Sequence, residues 1–172
     1  MTWTKLSLIF SLLLFPQACG VYSFSGISTP PEAKTFSVNI QSKIALGSLD
    51  LAEILQQRLS DELVQRTSLK QVTSQGDLQF EGTIQKFEYT PIEVAKEEDT
   101  VGGMVTIDQL QIEVQMTYLN PYQQDTSVDK KKFSQHANMD ADSSRSEKEP
   151  SLIDEIITKL IKNIFHATVA NW

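Results

Sequence analysis

Cysteine is all but absent from this chain: Cys19 is the only one among 172 residues. A disulfide framework within the chain is thereby excluded, and so is a zinc site built on several thiolates. Histidine is nearly as scarce, with His136 and His166 lying 30 residues apart and no Cys, Asp or Glu adjacent to either. Basic charge is in deficit too: 15 Lys and Arg against 22 Asp and Glu leave a formal charge of −7. That balance excludes nonspecific nucleic-acid binding, which needs many basic contacts to phosphate. It also gives no help in adhering to anionic lipid headgroups. Phosphate-binding glycine loops, a dinucleotide glycine pattern and a nucleophile elbow are all missing. The tract Asp140, Asp142, Ser143, Ser144 has the acidic start of a calcium loop but neither its glycine nor its closing glutamate. No catalytic residue, metal site or cofactor is read from the sequence, and the chain is not expected to be an enzyme.

What is present begins at the N-terminus. Lys5 is followed by Leu6 to Phe15, ten residues without a charge, and then by Pro16, Gln17, Ala18 and Cys19. A short basic region, an apolar run of this length and a small residue before a break form the pattern of an export signal. Spanning a bilayer takes roughly 20 apolar residues, so this segment is too short for a permanent transmembrane helix. Cleavage between Ala18 and Cys19 removes residues 1–18 and leaves one domain's length of chain with a formal charge of −8, since Lys5 is the only charge lost. The thiol directly after Ala18 resembles the lipobox of bacterial lipoproteins, in which the cysteine is acylated, with palmitate among its chains. Pro16 stands where that box usually carries Leu. The other reading is a secreted protein with a stray thiol, which in an oxidising compartment would have no partner in its own chain.

Residues 19–32 read as the lipidated tether: Gly20 to Pro31 is turn-rich, and the Pro30-Pro31 pair fits neither a helix interior nor a central strand. Residues 33–172 then read as a single α+β domain. Phe36, Val38 and Ile40 alternate with polar residues, the period of a half-buried strand. Leu51, Ile54, Leu55, Leu59 and Leu63 define one helical face, with Asp50 and Glu53 as a capping pair and Ser48 as a competing cap. Leu78, Phe80 and Ile84 share a strand face with Gly82, after which Phe87 and Tyr89 fall in the opposite register, so a bulge is expected at Gln85-Lys86. A charged loop, Ala95 to Gly103, separates this from the strongest strand, Gln109 to Leu119. There Leu110, Ile112, Val114, Met116 and Tyr118 point one way, and Gln111, Glu113, Gln115 and Thr117 the other. A weaker strand covers Asp129 to Asn138 and opens with Lys130, Lys131 and Lys132, which read either as a solvated strand end or as an anion-binding cluster. Met139 to Pro150 has almost nothing to bury and reads as a loop. Ser151 then caps a last helix whose stripe runs from Leu152 to Phe165; core packing and partner binding are both open uses of it. The expected fold is a mostly antiparallel four-stranded sheet with two helices on one face, in the order β-α-β-β-β-α.

Cys19-Gly-Val-Tyr-Ser-Phe-Ser-Gly26, Pro30-Pro-Glu-Ala-Lys-Thr35, Gly76-Asp-Leu-Gln-Phe-Glu-Gly82 and Val169-Ala-Asn-Trp172, taken in that order, resemble the LptE family of lipopolysaccharide-assembly lipoproteins, and most of all its Bacteroidetes-type members. Gln41 to Gly47 departs from the family, which has an aromatic-proline-asparagine turn there. The resemblance implies a lipoprotein of the outer membrane, anchored by its acyl chains and facing the periplasm. It implies that the protein plugs and helps assemble the LptD β-barrel and assists lipopolysaccharide transport to the cell surface. Partners would be that barrel, the membrane and lipopolysaccharide itself. A barrel lumen is polar, so Gln111, Glu113 and Gln115 are the barrel-facing candidates. The competing function is a stand-alone periplasmic lipoprotein that binds a small molecule or peptide in a pocket lined by Tyr89, Tyr118 and Phe133.

Overall fold

Two helices rich in leucine and isoleucine and one side of an alternating sheet supply the apolar surface that this chain must bury. The computed structural model describes residues 29–44, 49–95, 104–139 and 144–170. Strand β1 spans Thr35–Ser42, helix α1 Leu49–Arg66, strand β2 Lys70–Gln71, β3 Leu78–Ala95, β4 Met104–Leu119, β5 Val128–Asn138 and helix α2 Arg145–Thr168. The strands form one sheet in the order β2-β1-β3-β4-β5. β1 runs parallel to β2 and to β3, while the longer β3–β4 and β4–β5 pairings are antiparallel. A parallel connection needs a crossover of a dozen residues or more, and α1 supplies it. The α+β class is the one expected, with five strands in place of four. The extra strand, β2, has two residues, too few to leave a periodic signal.

Both helices lie on one side of the sheet and share a single core with it. From below, the sheet contributes Phe36, Val38, Ile40, Leu78, Phe80, Ile84 and the five even-numbered residues Leu110 to Tyr118. From above, α1 contributes Leu51, Leu55, Leu59 and Leu63, and α2 contributes residues from Leu152 to Phe165. Each such side chain is worth roughly 1.5–3 kcal/mol on burial, before entropy is subtracted. Phe80 and Tyr118 face each other across β3 and β4 with ring centroids 4.8 Å apart. Burial pushes the Tyr118 hydroxyl up to about 12, partly offset by a hydrogen bond with Asn120. The last helix is thus core, as one of its two readings had it.

Three local features fix β3 in place. Gly76 lies so close to β1 that an added Cβ would sit 2.4 Å from the Phe36 carbonyl carbon. Its N–H donates to Ser37 Oγ at 3.2 Å. Next to it, Asp77 Oδ2 accepts from Lys34 N–H, Thr35 N–H and the Thr35 hydroxyl, each at 2.9 Å. Those hydrogen bonds, the Lys34 amide first, hold the Asp77 carboxyl below its ordinary value. Farther along, Gly82 leaves the space that Met116 occupies, since a Cβ there would lie 2.6 Å from its sulfur. The expected bulge is present: Ile84 pairs with Val114 and Lys86 with Glu113, leaving Gln85 over. That extra residue restores Phe87 and Tyr89 to the helix side, opposite Ile112 and Leu110.

Several boundaries move. α2 starts at Arg145, six residues before Ser151, so Ser144 rather than Ser151 is the N-cap and Pro150 lies inside the helix. Local pattern ends at that proline because residues 145–151 bury almost nothing. Contacts made at long range carry the helix about one and a half turns further. Arg145 pairs with Asp108 at 2.7 Å and lies 4.2 Å above the Tyr89 ring, whose hydroxyl donates to Glu149 at 2.9 Å. β4 likewise starts five residues before Gln109. Ile54 drops out of the core, at 38% exposure, because the buried leucines of α1 fall at every fourth residue from Leu51 to Leu63, with Ser60 buried beside them. The caps proposed for α1 at Ser48 and Asp50 lie outside the described side chains.

Candidate functional site

The sheet face away from the helices carries an organised polar surface. Its centre is the row Gln111, Glu113, Gln115 and Thr117 on β4, with Gln85, Lys86 and Glu88 on one side and Lys132 and Ser134 on the other. Strand alternation puts these side chains side by side, and they bond to one another. Lys86 Nζ donates to Gln111 Oε1 at 3.0 Å, and Gln111 Nε2 donates to Ser134 Oγ at 2.8 Å. Gln85 Nε2 donates to Gln115 Oε1 at 3.4 Å, and Gln115 Nε2 to the Lys130 carbonyl at 3.4 Å. Glu113 pairs with Lys132 at 2.9 Å, and Glu88 with Lys86 at the same distance. The result is a lattice of amides in which Lys86 is matched by Glu88 and Lys132 by Glu113, with the carboxylate of Glu81 on the same face opposite Thr117. Each link is partly exposed and worth about 1 kcal/mol or less, so the surface remains available for exchange with another polar partner. The three barrel-facing candidates, Gln111, Glu113 and Gln115, are brought together here.

The three lysines are not. Lys132 lies on the lattice face beside Glu113, whereas Lys131, one residue earlier, is turned to the helix side with its ammonium 5.4 Å from the Phe133 ring centre. Lys130 sits in a break of the β4–β5 register at φ 47°, with its N–H on Thr117 Oγ1 at 3.3 Å. Alternation alone separates neighbours in a strand, and no cradle for one anion results.

The aromatic pocket is not assembled either. Tyr89 is level with Leu110 and Tyr118 with Phe80, eight residues away along β4, roughly 27 Å. Tyr118 is core, and Phe133 packs under the sheet edge. Tyr89 instead belongs to the clasp that holds α2 to β3 and β4; burial first, then Glu149, pushes its hydroxyl up to about 12. The clasp was not read from the sequence, because Tyr89, Asp108, Arg145 and Glu149 are scattered over 60 residues. Two clefts beside β1 and one between the outer faces of α1 and α2 are open to solvent, and none contains Tyr89, Tyr118 or Phe133.

Ala18, Cys19 and the loop residues 96–103 lie outside the described residues, as do Asp140 to Ser143. Among the described residues no three His, Cys, Asp or Glu side chains are grouped to hold a metal. None of the described helices is long and apolar enough to cross a membrane.

No curated protein matches the chain. Among solved structures, a hypothetical protein from Chlamydia trachomatis is similar in fold, with a TM-score of 0.51 and 10% identity, over 81% of this chain and 100% of that one. A Xanthomonas campestris protein aligns at a TM-score of 0.49 and 8% identity over 80% and 87% of the two chains. A minor lipoprotein from Acinetobacter baumannii aligns at 0.46 and 11% over 77% and 89%. The family model for LptE, described as lipopolysaccharide-assembly, matches residues 33–168. That span contains every strand and both helices set out above, and the chain belongs to the LptE lipopolysaccharide-assembly family.

Proposed function

We propose that this chain is a non-catalytic outer-membrane lipoprotein, held by acyl groups on Cys19 after removal of residues 1–18, that occupies the lumen of an LptD β-barrel and supports its assembly. The reading combines family membership with one observation: the amide lattice around Gln111, Glu113 and Gln115 is a polar, hydrogen-bonding surface. The inside of such a barrel is itself polar, and a plug with an apolar outer face would bury that face against unsatisfied donors and acceptors. An amide lattice avoids this, since each of its links can be traded for one to the barrel wall. Lipopolysaccharide delivery then depends on the protein through the barrel that it helps to form.

Photo-crosslinking side chains placed at Gln111, Glu113 and Gln115 test the docking face. One large outer-membrane protein trapped at all three positions is the expected result. Crosslinks confined to the helix side, with these positions silent, would overturn the assignment of the face. The anchor is tested separately by mass spectrometry of the mature N-terminus, with Cys19→Ala expected to release the protein from the membrane or to block processing. One acyl chain gives marginal membrane binding and two or more give stable anchoring.

A further inference from the structure

Among the described residues, β1 is served by a neighbour along one flank from Phe36 to Ser42 but only along the start of the other. Backbone groups of successive residues in a strand point to opposite flanks. On the β3 side, Lys43 N–H reaches the Ile84 carbonyl at 3.3 Å. On the other side, Lys70 N–H and Val72 N–H reach the carbonyls of Lys34 and Phe36 at 2.9 and 2.8 Å. Even-numbered residues of β1 therefore face away from β3, and β2 ends at Gln71, level with Phe36. Val38 and Ile40 come next in that row. A side chain replaces the missing strand at Ile40, whose N–H donates to Gln56 Oε1 of α1 at 3.0 Å. Two clefts open at this point, and Val38, Gln56 and Thr73 line both. Their walls are amides, hydroxyls and a few apolar side chains, with Glu81 the only charged residue among the described residues of either.

We propose that this flank of β1 is a docking site for one extended peptide segment of a partner protein, which pairs with the main chain of Val38 and Ile40 where β2 gives out. The occupant's chemistry follows from the lining. With no Lys or Arg, the clefts do not neutralise a phosphate or a carboxylate, and a lone glutamate does not hold a cation. Neutral main-chain donors and acceptors are what complement a neutral cleft on an unfinished sheet edge, and addition of a strand there gives affinity through backbone hydrogen bonds. Gln56 is the placeholder: its carboxamide supplies one hydrogen bond of the backbone kind and is displaced when a real strand arrives. The site is on β1, two strands away from β4 and its glutamine row, and stands whether or not the barrel reading holds.

The test uses the full chain in detergent micelles, with acetyl-Thr-Val-Thr-Val-Thr-Val-amide as probe and the same peptide N-methylated at every residue as control, since methylation of alternate residues would leave one edge able to pair. Backbone hydrogen exchange is read residue by residue. The plain peptide is expected to slow exchange at Val38 and Ile40 about tenfold, the N-methylated one not at all. Gln56→Ala, which clears the placeholder, is expected to tighten binding, and Thr73→Trp, which fills the exposed cleft, to weaken it about tenfold. Equal binding of the N-methylated peptide, or protection that appears on β5 and leaves Val38 and Ile40 unchanged, would overturn the proposal. So would unchanged binding in Thr73→Trp when that variant keeps wild-type exchange elsewhere.

Discussion

β3 and β4 run unbroken through two regions of opposite polarity. In the body of the sheet, from Leu78 to Tyr89 and from Leu110 to Tyr118, the side under the helices is apolar and the other side is the amide lattice. Beyond it, Pro91–Ala95 and Met104–Asp108 pair with each other as a two-stranded ribbon, joined to the rest of the sheet's far side only through the Asp108 carbonyl among the described residues. There the sides are exchanged. Asp108, Thr106 and Glu93 stand on the side that the helices would cover, and Ile92, Val94, Val105 and Ile107 form a half-buried quartet on the lattice side. Ile92 is opposite Ile107 and Val94 opposite Val105, so the quartet shields itself through direct cross-strand pairs. The contrast teaches that the polarity of a strand reports what covers each side at each point along it. Where α2 begins, at Arg145 on Asp108, apolar residues go beneath it; past that point nothing requires them there.

The sharpest way to break the contrast is in the body. Ile157→Asp puts a carboxylate at a fully buried position of α2 and is expected to remove more than about 4 kcal/mol in urea unfolding, enough to deplete the protein. A normal melt for that variant would mean that the helix is not core. Gly76→Ala comes next, at about 2–3 kcal/mol, because backbone rather than a flexible side chain must move to admit the Cβ. Asp77→Asn should have a smaller effect with a distinctive pH dependence. The folded-state carboxyl titrates below its ordinary value of 3.8, so its contribution is complete above 3.8 and fades as pH falls through the lower folded value. The gap between wild type and variant should therefore be constant near neutrality and close in acid. Tyr89→Phe cuts one link of the clasp at the border between the regions and should cost about 1 kcal/mol while α2 stays helical. In the ribbon, Ile92→Thr should fall within about 0.5 kcal/mol of wild type; a loss as large as that at Gly76 would show that the quartet is packed like the body.

Much of the body was legible because its covering is regular. Five alternating apolar residues on β4 and a leucine every fourth residue on α1 each have one period, and both landed where that period put them. The bulge at Gln85 was legible for the same reason, as a slip between two clean registers. The ribbon carried a comparable signal that went unread: apolar residues fall at 105 and 107 and then at 110 and 112, a change of parity with no inserted residue. The start of α2 and the clasp were not legible, since residues 145–150 have no apolar period and gain their partners from strands far away in sequence. In the candidate site, the glutamine row was plain from alternation. The splaying of Lys130 to Lys132 follows from that rule too, once the register break at Lys130 is known. The Gly76-Asp77 segment, part of the likeness to the family, locks β3 against β1.

Pro91 has a consequence for how copies of this protein behave toward one another. It pairs with Asp108, whose carbonyl turns away from β3 to accept the Met139 N–H at 2.7 Å. The Pro91 nitrogen must then face outward along β3, past the end of β1, where no strand among the described residues covers the edge and its donors would otherwise form an uninterrupted ladder. A missing donor in the middle of that stretch, matched on the far edge of the sheet by the left-handed kink and lysines of β5, denies a second molecule a straight template to zip along. An unfolded or newly exported chain would meet these edges at high local concentration. Replacing Pro91 by threonine should leave the folded monomer intact and make its concentrated solutions turn cloudy sooner.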